Sequence, residues 1–252
     1  MFDFEIQDSV LTWYKGEAET VEIPREATHI GVGAFRDSGV VRVILHNSIT
    51  RIHREAFKDC YRLQEINVPD SVTRIDQYAF CNCKALTSVC LPDSIDNLRE
   101  GTFCGCVSLE SIVLPENLHL ISAYAFQGCA ALSDIVLPDS IEEIREVAFG
   151  GCERLEISAL PTCLRHLDAL AFYECKRITD PEIGDALREF NGLSFFDCVK
   201  TLRVSEHRLN EFLQILNESE QHELSPRYEC ASYSKGDNWR IENDTIVRIK
   251  NV

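Results

Sequence analysis

Hydrophobic positions recur along this chain at a nearly constant interval. Phenylalanine fills one slot eight times, spaced once by 22 residues and six times by 23, and the preceding residue is usually alanine. The members of this column are Phe35, Phe57, Phe80, Phe103, Phe126, Phe149, Phe172 and Phe195. A fixed period of roughly 20 to 50 residues is the signature of stacked structural units. The pattern therefore predicts a repeat array.

Each repeat combines two kinds of hydrophobic spacing, as residues 63–83 show. Leu63, Ile66 and Val68 alternate with polar residues, which predicts a half-buried strand. Pro69 has no backbone donor and ends that strand. The aliphatic and aromatic residues that follow have a spacing nearer to a helical turn and should form the opposite wall of the core: Val72, Ile75, Ala79 and Phe80. Neither wall is buried by one turn alone, so the turns must stack.

The repeat resembles a known family. LxxIxLxxS or its Asn variant occurs at Leu63–Ser71, Leu109–Asn117 and Leu132–Ser140. It is similar to the leucine-rich repeat signature, and the longer form IxxIxxxAFxxCxxLxxIxLPxS is similar to the BspA-like class. The resemblance covers roughly residues 24–204. It implies an α/β fold, a right-handed solenoid with a concave parallel β-sheet.

Two polar or thiol columns follow from the same alignment. Cysteine recurs three residues after the phenylalanine at Cys60, Cys83, Cys106, Cys129, Cys152, Cys175 and Cys198. We expect these thiols to be buried and to behave as small hydrophobic groups. The resemblance further implies that a second column is a buried polar ladder between turns, made of Ser48, Ser71, Ser94, Asn117, Ser140 and Cys163.

The ends of the array predict caps, so that 1–252 form a single repeat domain. Residues 1–23, with a turn at Asp8 and Ser9, predict an N-terminal β-hairpin cap. About eight repeats occupy 24–204, and Pro181 predicts a short or broken strand in the seventh. Residues 205–252 predict a C-terminal cap. Its helix carries an apolar stripe within 205–220, and a hairpin follows within 225–252.

The charge of the chain restricts its partners. A formal net charge of −16 repels nucleic acid and anionic lipid, and it favours a basic protein partner if it has any specific meaning. The N-terminal sequence has no basic segment followed by an apolar run, and no apolar stretch approaches the ~18 residues of a membrane span. These features predict a cytoplasmic protein, whereas the family resemblance implies a cell-surface location as the alternative.

Chemically reactive residues provide few candidate sites. The two CxC pairs, Cys81 with Cys83 and Cys104 with Cys106, lie one repeat apart. Four thiolates could hold zinc, but Cys83 and Cys106 should face the core, away from Cys81 and Cys104. A disulfide between Cys81 and Cys104 stays open as an alternative. The column His53, Asp76, Arg99, Ser122, Arg145 and Asp168 is predicted to be a solvated face. No catalytic residues, cofactor or metal are predicted.

The outward residues of the predicted strands form the candidate binding face. They are Arg42, Glu65, Asn67, Ser88, Cys90, Ser111, Val113, Asp134, Val136 and Ala159. Cys90, Val113, Val136 and Ala159 form an apolar strip with a polar rim, a pattern typical of interaction sites. Strand propensity alone is the competing explanation. The leading hypothesis is a non-enzymatic protein-binding scaffold. The alternatives are an adhesin or carbohydrate-binding protein, and a thiol- or metal-dependent protein.

Overall fold

The chain winds into a parallel β-solenoid of about eight turns in a computed structural model that describes residues 3–195, 198–219, 238–242 and 245–249. Strands are short because each turn of the coil changes direction several times. The strands of the described residues are β1 (Phe4–Gln7), β2 (Val10–Tyr14), β3 (Thr20–Glu22), β4 (His29–Ile30), β5 (Arg42–Ile44), β6 (Arg51–Ile52), β7 (Glu65–Ile66), β8 (Arg74–Ile75), β9 (Ser88–Cys90), β10 (Asn97–Leu98), β11 (Ser111–Val113), β12 (Leu120–Ile121), β13 (Asp134–Ile135), β14 (Glu143–Ile144), β15 (His166–Leu167), β16 (Glu189–Phe190), β17 (Thr201–Leu202), β18 (Asn238–Glu242) and β19 (Thr245–Ile249). Helix α1 spans Leu209–Ser219, and 3-10 turns occupy Gly192–Phe195 and Glu206–Arg208.

Two parallel ladders of strands run along the coil. Ladder 1 contains the strands predicted from the LxxI pattern, in the groups β3-β5-β7 and β9-β11-β13. Ladder 2 contains the second short strand of each turn, in the groups β2-β4-β6-β8, extended by β1, and β10-β12-β14-β15-β16. Beyond the cap strands β1 and β2, strand residues of each ladder pair with residues 22 or 23 positions away, as in Arg51 with Arg74 and Ser88 with Ser111. Equivalent slots of neighbouring turns therefore lie side by side.

The wall opposite ladder 1 is not helical, although the sequence suggested a helix-like spacing there. Two residues of the turn around the phenylalanine have positive φ, as at Tyr78 (58°) and Asn82 (60°) on either side of Phe80. A left-handed residue cannot continue an α-helix. The segment therefore forms ladder 2 and a turn. In the described residues, α-helix occurs once, in the C-terminal cap.

A third set of backbone hydrogen bonds, ladder 3, joins the phenylalanine turns. The Phe57 N–H donates to the Ala79 carbonyl at 2.8 Å, and the Phe80 N–H donates to the Thr102 carbonyl at 2.9 Å. This ladder continues to Phe172, whose N–H donates to the Ser194 carbonyl at 2.8 Å. Buried backbone groups must be paired, and ladder 3 pairs those of a wall that has no regular secondary structure.

The phenylalanine column forms the centre of the core. Rings of successive turns stack with centroids 5.0 to 5.7 Å apart from Phe35 to Phe195. Beside them, each cysteine of the column donates its thiol to the carbonyl of the phenylalanine one turn earlier, as Cys129 does to Phe103 at 3.2 Å. The prediction that these thiols are buried is confirmed, but they also act as hydrogen-bond donors.

The predicted polar ladder is only partly correct. The hydroxyls of Ser71 and Ser140 donate to the carbonyls of Ile49 and Leu118 at 2.7 and 2.8 Å, and Ser94 bonds Val72 in the same way. Ser48, Ser94, Asn117 and Cys163 are nevertheless exposed. This column lies at the outer end of the proline turn, where solvent reaches it. The buried ladder of this chain is the cysteine column.

Both predicted caps are present. Strands β1 and β2 form an antiparallel hairpin, and the turn residues Asp8 and Ser9 both have positive φ, which suits a two-residue hairpin turn. At the other end, α1 packs on the last turn and places Phe212 5.3 Å from Phe190. Strands β18 and β19 form a hairpin whose second strand pairs with β17. Residues 225–237, 243–244 and 250–252 of the predicted hairpin segment lie outside the described residues.

Ladders 1 and 2 are both interrupted between the third and fourth turns. No pairing joins β7 to β9 or β8 to β10 in these fully described segments. Ladder 3 continues across the junction, where the Asn82 N–H donates to the Cys104 carbonyl at 2.7 Å. Backbone hydrogen bonds therefore hold these two turns together at the phenylalanine wall alone.

Candidate functional site

The residues of the predicted binding face lie on the outer side of ladder 1. Nine of the ten are exposed, and Ser111 is half-buried. Three of the face residues make contacts between neighbouring turns. Arg42 Nε lies 2.6 Å from Glu65 Oε2, which joins neighbouring turns. The Asn67 amide accepts from the Leu45 N–H and donates to the Leu45 carbonyl, both at 2.8 Å. Asn67 thereby replaces a backbone partner, a role that its sequence position did not reveal.

The apolar strip is centred on two exposed valines. Val113 is 60% exposed and Val136 is 78% exposed, the latter an unusually high value for a large aliphatic side chain. Cys90 pairs with Val113 in the register of β9 and β11, and Val113 and Val136 line one shallow groove of about 570 Å³. The structure therefore brings Cys90, Val113 and Val136 together on neighbouring turns.

Ala159 does not continue this strip, which corrects the prediction of one contiguous surface. Ladder 1 pairs Ala159 with Glu182 of the next turn, but no backbone hydrogen bond joins residues 134–137 to residues 155–160. The sequence explains the interruption. Ser158 occupies the inward slot that Ile135 fills one turn earlier, and the aliphatic residue has moved to Ile157. A shift of one residue reverses the faces of a strand, so the pairing fails there.

A column of carboxylates borders the strip and was missed by the sequence analysis. Asp70, Asp93, Glu116 and Asp139 each follow the proline of their turn, and all four are exposed. Among the described residues, none of them has a Lys, Arg or His nitrogen within 4.0 Å, and neither does Asp134 on the groove wall. The repeat alignment does contain this pattern, because an acidic residue follows three positions after the outward strand residue in four successive turns. The groove is therefore apolar at its centre and acidic at its rim.

Asp139 is the carboxylate of this column that contacts the backbone of the next turn. Its Oδ1 accepts a hydrogen bond from the Thr162 N–H at 2.9 Å. That hydrogen bond lowers the pKa of Asp139. Asp139 is thus ionised at neutral pH, and its exposed side chain places a negative charge at the rim of the groove.

The two CxC pairs do not form one four-thiol site. Cys83 and Cys106 are fully buried and donate their thiols to the Phe57 and Phe80 carbonyls at 3.2 and 3.1 Å. Cys81 and Cys104 contact each other at the edge of the phenylalanine wall, unoxidised. The hydrogen bond between these two thiols raises the pKa of Cys81 and lowers that of Cys104. No group of three or more His, Cys, Asp or Glu side chains converges as a metal site within the described ranges.

The column predicted as a solvated face contains one buried acid. Asp76 is 3% exposed and is surrounded by arginines on the outer side of ladder 2, which contradicts the simple solvated description. Asp168, in the same column two repeats beyond Ser122, is 40% exposed in its side chain and matches it. The buried state of Asp76 depends on arginines from other turns, which linear spacing did not connect.

Comparison with known protein families gives a match over most of the repeat region. The model described as "BspA type Leucine rich repeat region (6 copies)" matches residues 5–129 and 96–208. No curated protein matches the chain. No helix in the described part of the chain has the length and apolar character needed to cross a membrane.

Solved structures with the same architecture come from bacteria. The leucine-rich repeat protein of T. pallidum is 26% identical with a TM-score of 0.63, and the match covers 70% of this chain and 87% of that one. A leucine-rich repeat protein from Bacteroides ovatus is 22% identical with a TM-score of 0.56, covering 81% of this chain and 69% of that one. The second likeness concerns the fold alone.

Proposed function

Because the chain belongs to the family of BspA-type leucine-rich repeat proteins, we propose that it is a non-enzymatic scaffold that binds a basic protein segment along ladder 1. Repeat proteins of this kind present extended surfaces, and their function resides in side chains on those surfaces. The observation that carries the proposal is the groove between Val113 and Val136. Large exposed apolar side chains with a polar rim are typical of interaction sites.

The charge of the rim supports a basic partner. Glu116, Asp134 and Asp139 line the groove, and no basic residue lies among its lining residues. Lys or Arg side chains of a partner would supply the counter-charges that the chain itself does not place there. Aliphatic side chains between them would contact the two valines. We therefore expect a segment in which basic and aliphatic residues alternate.

Affinity capture with matched valine variants tests this proposal. Protein is immobilised as wild type, as Val113→Ser with Val136→Ser, and as Val32→Ser. Val32 is 66% exposed and lies before the first phenylalanine turn, away from the groove, so it is a control for loss of an exposed valine. We expect proteins captured by wild type and by the Val32 variant to be lost from the double variant. Identical capture by all three proteins would contradict the proposed face.

The acidic rim is tested separately by charge removal and salt. Asp93→Asn with Glu116→Gln should weaken capture of the same partner at low salt and reduce its dependence on NaCl, because fewer charges remain to be screened. Asn and Gln keep the size of the original side chains. If the variant binds the partner as strongly as wild type, the partner is not recognised by basic residues. That result would still be compatible with binding through Val113 and Val136. Capture that depends on a glycan of the partner would favour the carbohydrate-binding alternative instead.

A further inference from the structure

Three arginines converge on one buried carboxylate on the outer side of ladder 2. Arg51 donates from Nε and Nη2 to Asp76 Oδ2 at 2.9 and 2.7 Å. Arg74 donates from Nε to Asp76 Oδ1 at 2.7 Å. Arg99, from the fourth turn, has its Nε 3.7 Å from the same oxygen. The cluster therefore connects three successive turns of the coil.

The charges of this cluster do not cancel. Among the described residues, Asp76 is the only acid within 4.0 Å of these three guanidinium groups. Three positive charges therefore face one negative charge. By contrast, Arg145 near the middle of the same ladder has both Glu143 and Asp168 as ion-pair partners. The cluster leaves a local excess of two positive charges in a chain with a formal net charge of −16.

Within the described ranges, several hydrogen-bond donors of the cluster have no protein acceptor. Arg74 uses its Nε alone, and the 3.7 Å distance from Arg99 is too long for a hydrogen bond. Their side chains are 44% and 34% exposed, so the terminal nitrogens are open to solvent. Asp76 holds the Arg51 and Arg74 side chains in place, which reduces the entropy that a ligand would have to remove from them.

Two histidines lie beside this cluster. His53 Nδ1 lies 3.7 Å from Asp76, and the His29 and His53 rings have centroids 5.7 Å apart. Burial, followed by the positive charge of Arg51, lowers the pKa of His53. Protonation of His53 at acidic pH would add further positive charge to the same place.

We propose that Arg51, Arg74 and Arg99 form a binding site for a tetrahedral oxyanion, the phosphate or sulfate group of a ligand. Guanidinium groups present parallel N–H donors whose geometry matches such oxygens, and hydrogen bonds between ionised groups are the strong ones. The terminal nitrogens of Arg74 and Arg99 supply the donors, and Arg51 supplies charge. The site is separate from the groove of ladder 1 and does not depend on the function proposed there.

Titration followed by NMR of the arginine Nε–H groups tests the site. Inorganic phosphate, sulfate and acetate are added to the full chain, with NaCl adjusted to hold ionic strength constant. We expect phosphate or sulfate to shift the Arg74 and Arg99 signals in a saturable manner, and acetate to have a much weaker effect. O-Phosphoserine and a sulfated monosaccharide, compared in the same way, distinguish the two sources of the group.

Variants identify the residues responsible. Arg99→Ala should weaken phosphate binding about tenfold, equivalent to roughly 1.4 kcal/mol for a lost charged donor. Arg165→Ala is the matched control, because Arg165 is exposed and paired with Glu142 at 3.4 Å on the same ladder. If Arg99→Ala does not fold, Arg99→Gln keeps the chain length without the charge. The proposal is overturned if neither anion gives a saturable shift, or if the Arg99 variant binds as tightly as the Arg165 variant.

Discussion

At the scale of single residues, the cysteine column combines hydrophobic packing with hydrogen bonding. Cys129 is fully buried, packs in the core and donates to the Phe103 carbonyl at 3.2 Å. Burial raises the pKa of Cys60 to about 11 and raises the pKa of Cys129 well above its usual value. These thiols are therefore protonated at neutral pH, as a donor must be, and are protected from oxidation.

Substitution of Cys129 separates the two roles. Cys129→Ala should lower the free energy of unfolding by about 2 kcal/mol, because a cavity and an unsatisfied carbonyl result. Cys129→Ser keeps a donor and should lose less. Urea unfolding monitored by circular dichroism measures both, with Cys163→Ala as the control at an exposed cysteine. Equal losses in the Ala and Ser variants would show that packing alone matters.

At the scale of elements, strands of two or three residues depend on contacts between turns. Asp76 contributes such a contact by joining Arg51 of β6 to Arg74 of β8. Burial opposes ionisation of Asp76, but the hydrogen bonds from Arg74 and Arg51 outweigh it, and the pKa of Asp76 is lowered overall. A carboxyl with a lowered pKa in the folded state stabilises the fold above its unfolded pKa. That contribution is lost as the pH falls through the folded value.

Asp76→Asn should therefore be most harmful near neutral pH. We expect a loss of about 2 kcal/mol in the free energy of unfolding at pH 7, since charged hydrogen bonds to arginine are removed. The difference from wild type should shrink below about pH 4, where the unfolded carboxyl becomes protonated. Urea unfolding across this pH range measures it. Asp168→Asn, at the same slot but exposed, is the control and should change stability little at any pH. A loss for Asp76→Asn that is independent of pH would contradict this account.

At the scale of the whole molecule, each turn is stabilised by packing against its neighbours. The stacked rings end at Phe195, and Phe212 of α1 covers the last turn together with Phe190. Arrays of this kind behave as a row of units coupled to nearest neighbours. A substitution at one end should therefore destabilise the adjacent turns and leave the distant turns unchanged.

Phe212→Ala tests this coupling. The substitution should cost about 3 kcal/mol locally, because it opens the end of the core. Hydrogen exchange measured by mass spectrometry should show faster exchange in residues 178–202, while residues 24–83 keep their protection. Phe4, which is only partly buried at the opposite cap, provides the control variant Phe4→Ala. Uniformly faster exchange along the chain would indicate one cooperative unit instead.

The amino-acid sequence by itself determined the period, the stacked phenylalanines, the buried cysteine column and both caps of this protein. Those features depend on which repeat positions are apolar, and that pattern can be read directly from the sequence. It also located the exposed residues around Val113, because strand alternation assigns each residue a side. Tertiary structure decided what depends on contacts between turns. The interruption of the ladders between the third and fourth turns and the approach of Arg51 and Arg99 to Asp76 involve residues about 23 positions apart, whose distances linear spacing does not contain.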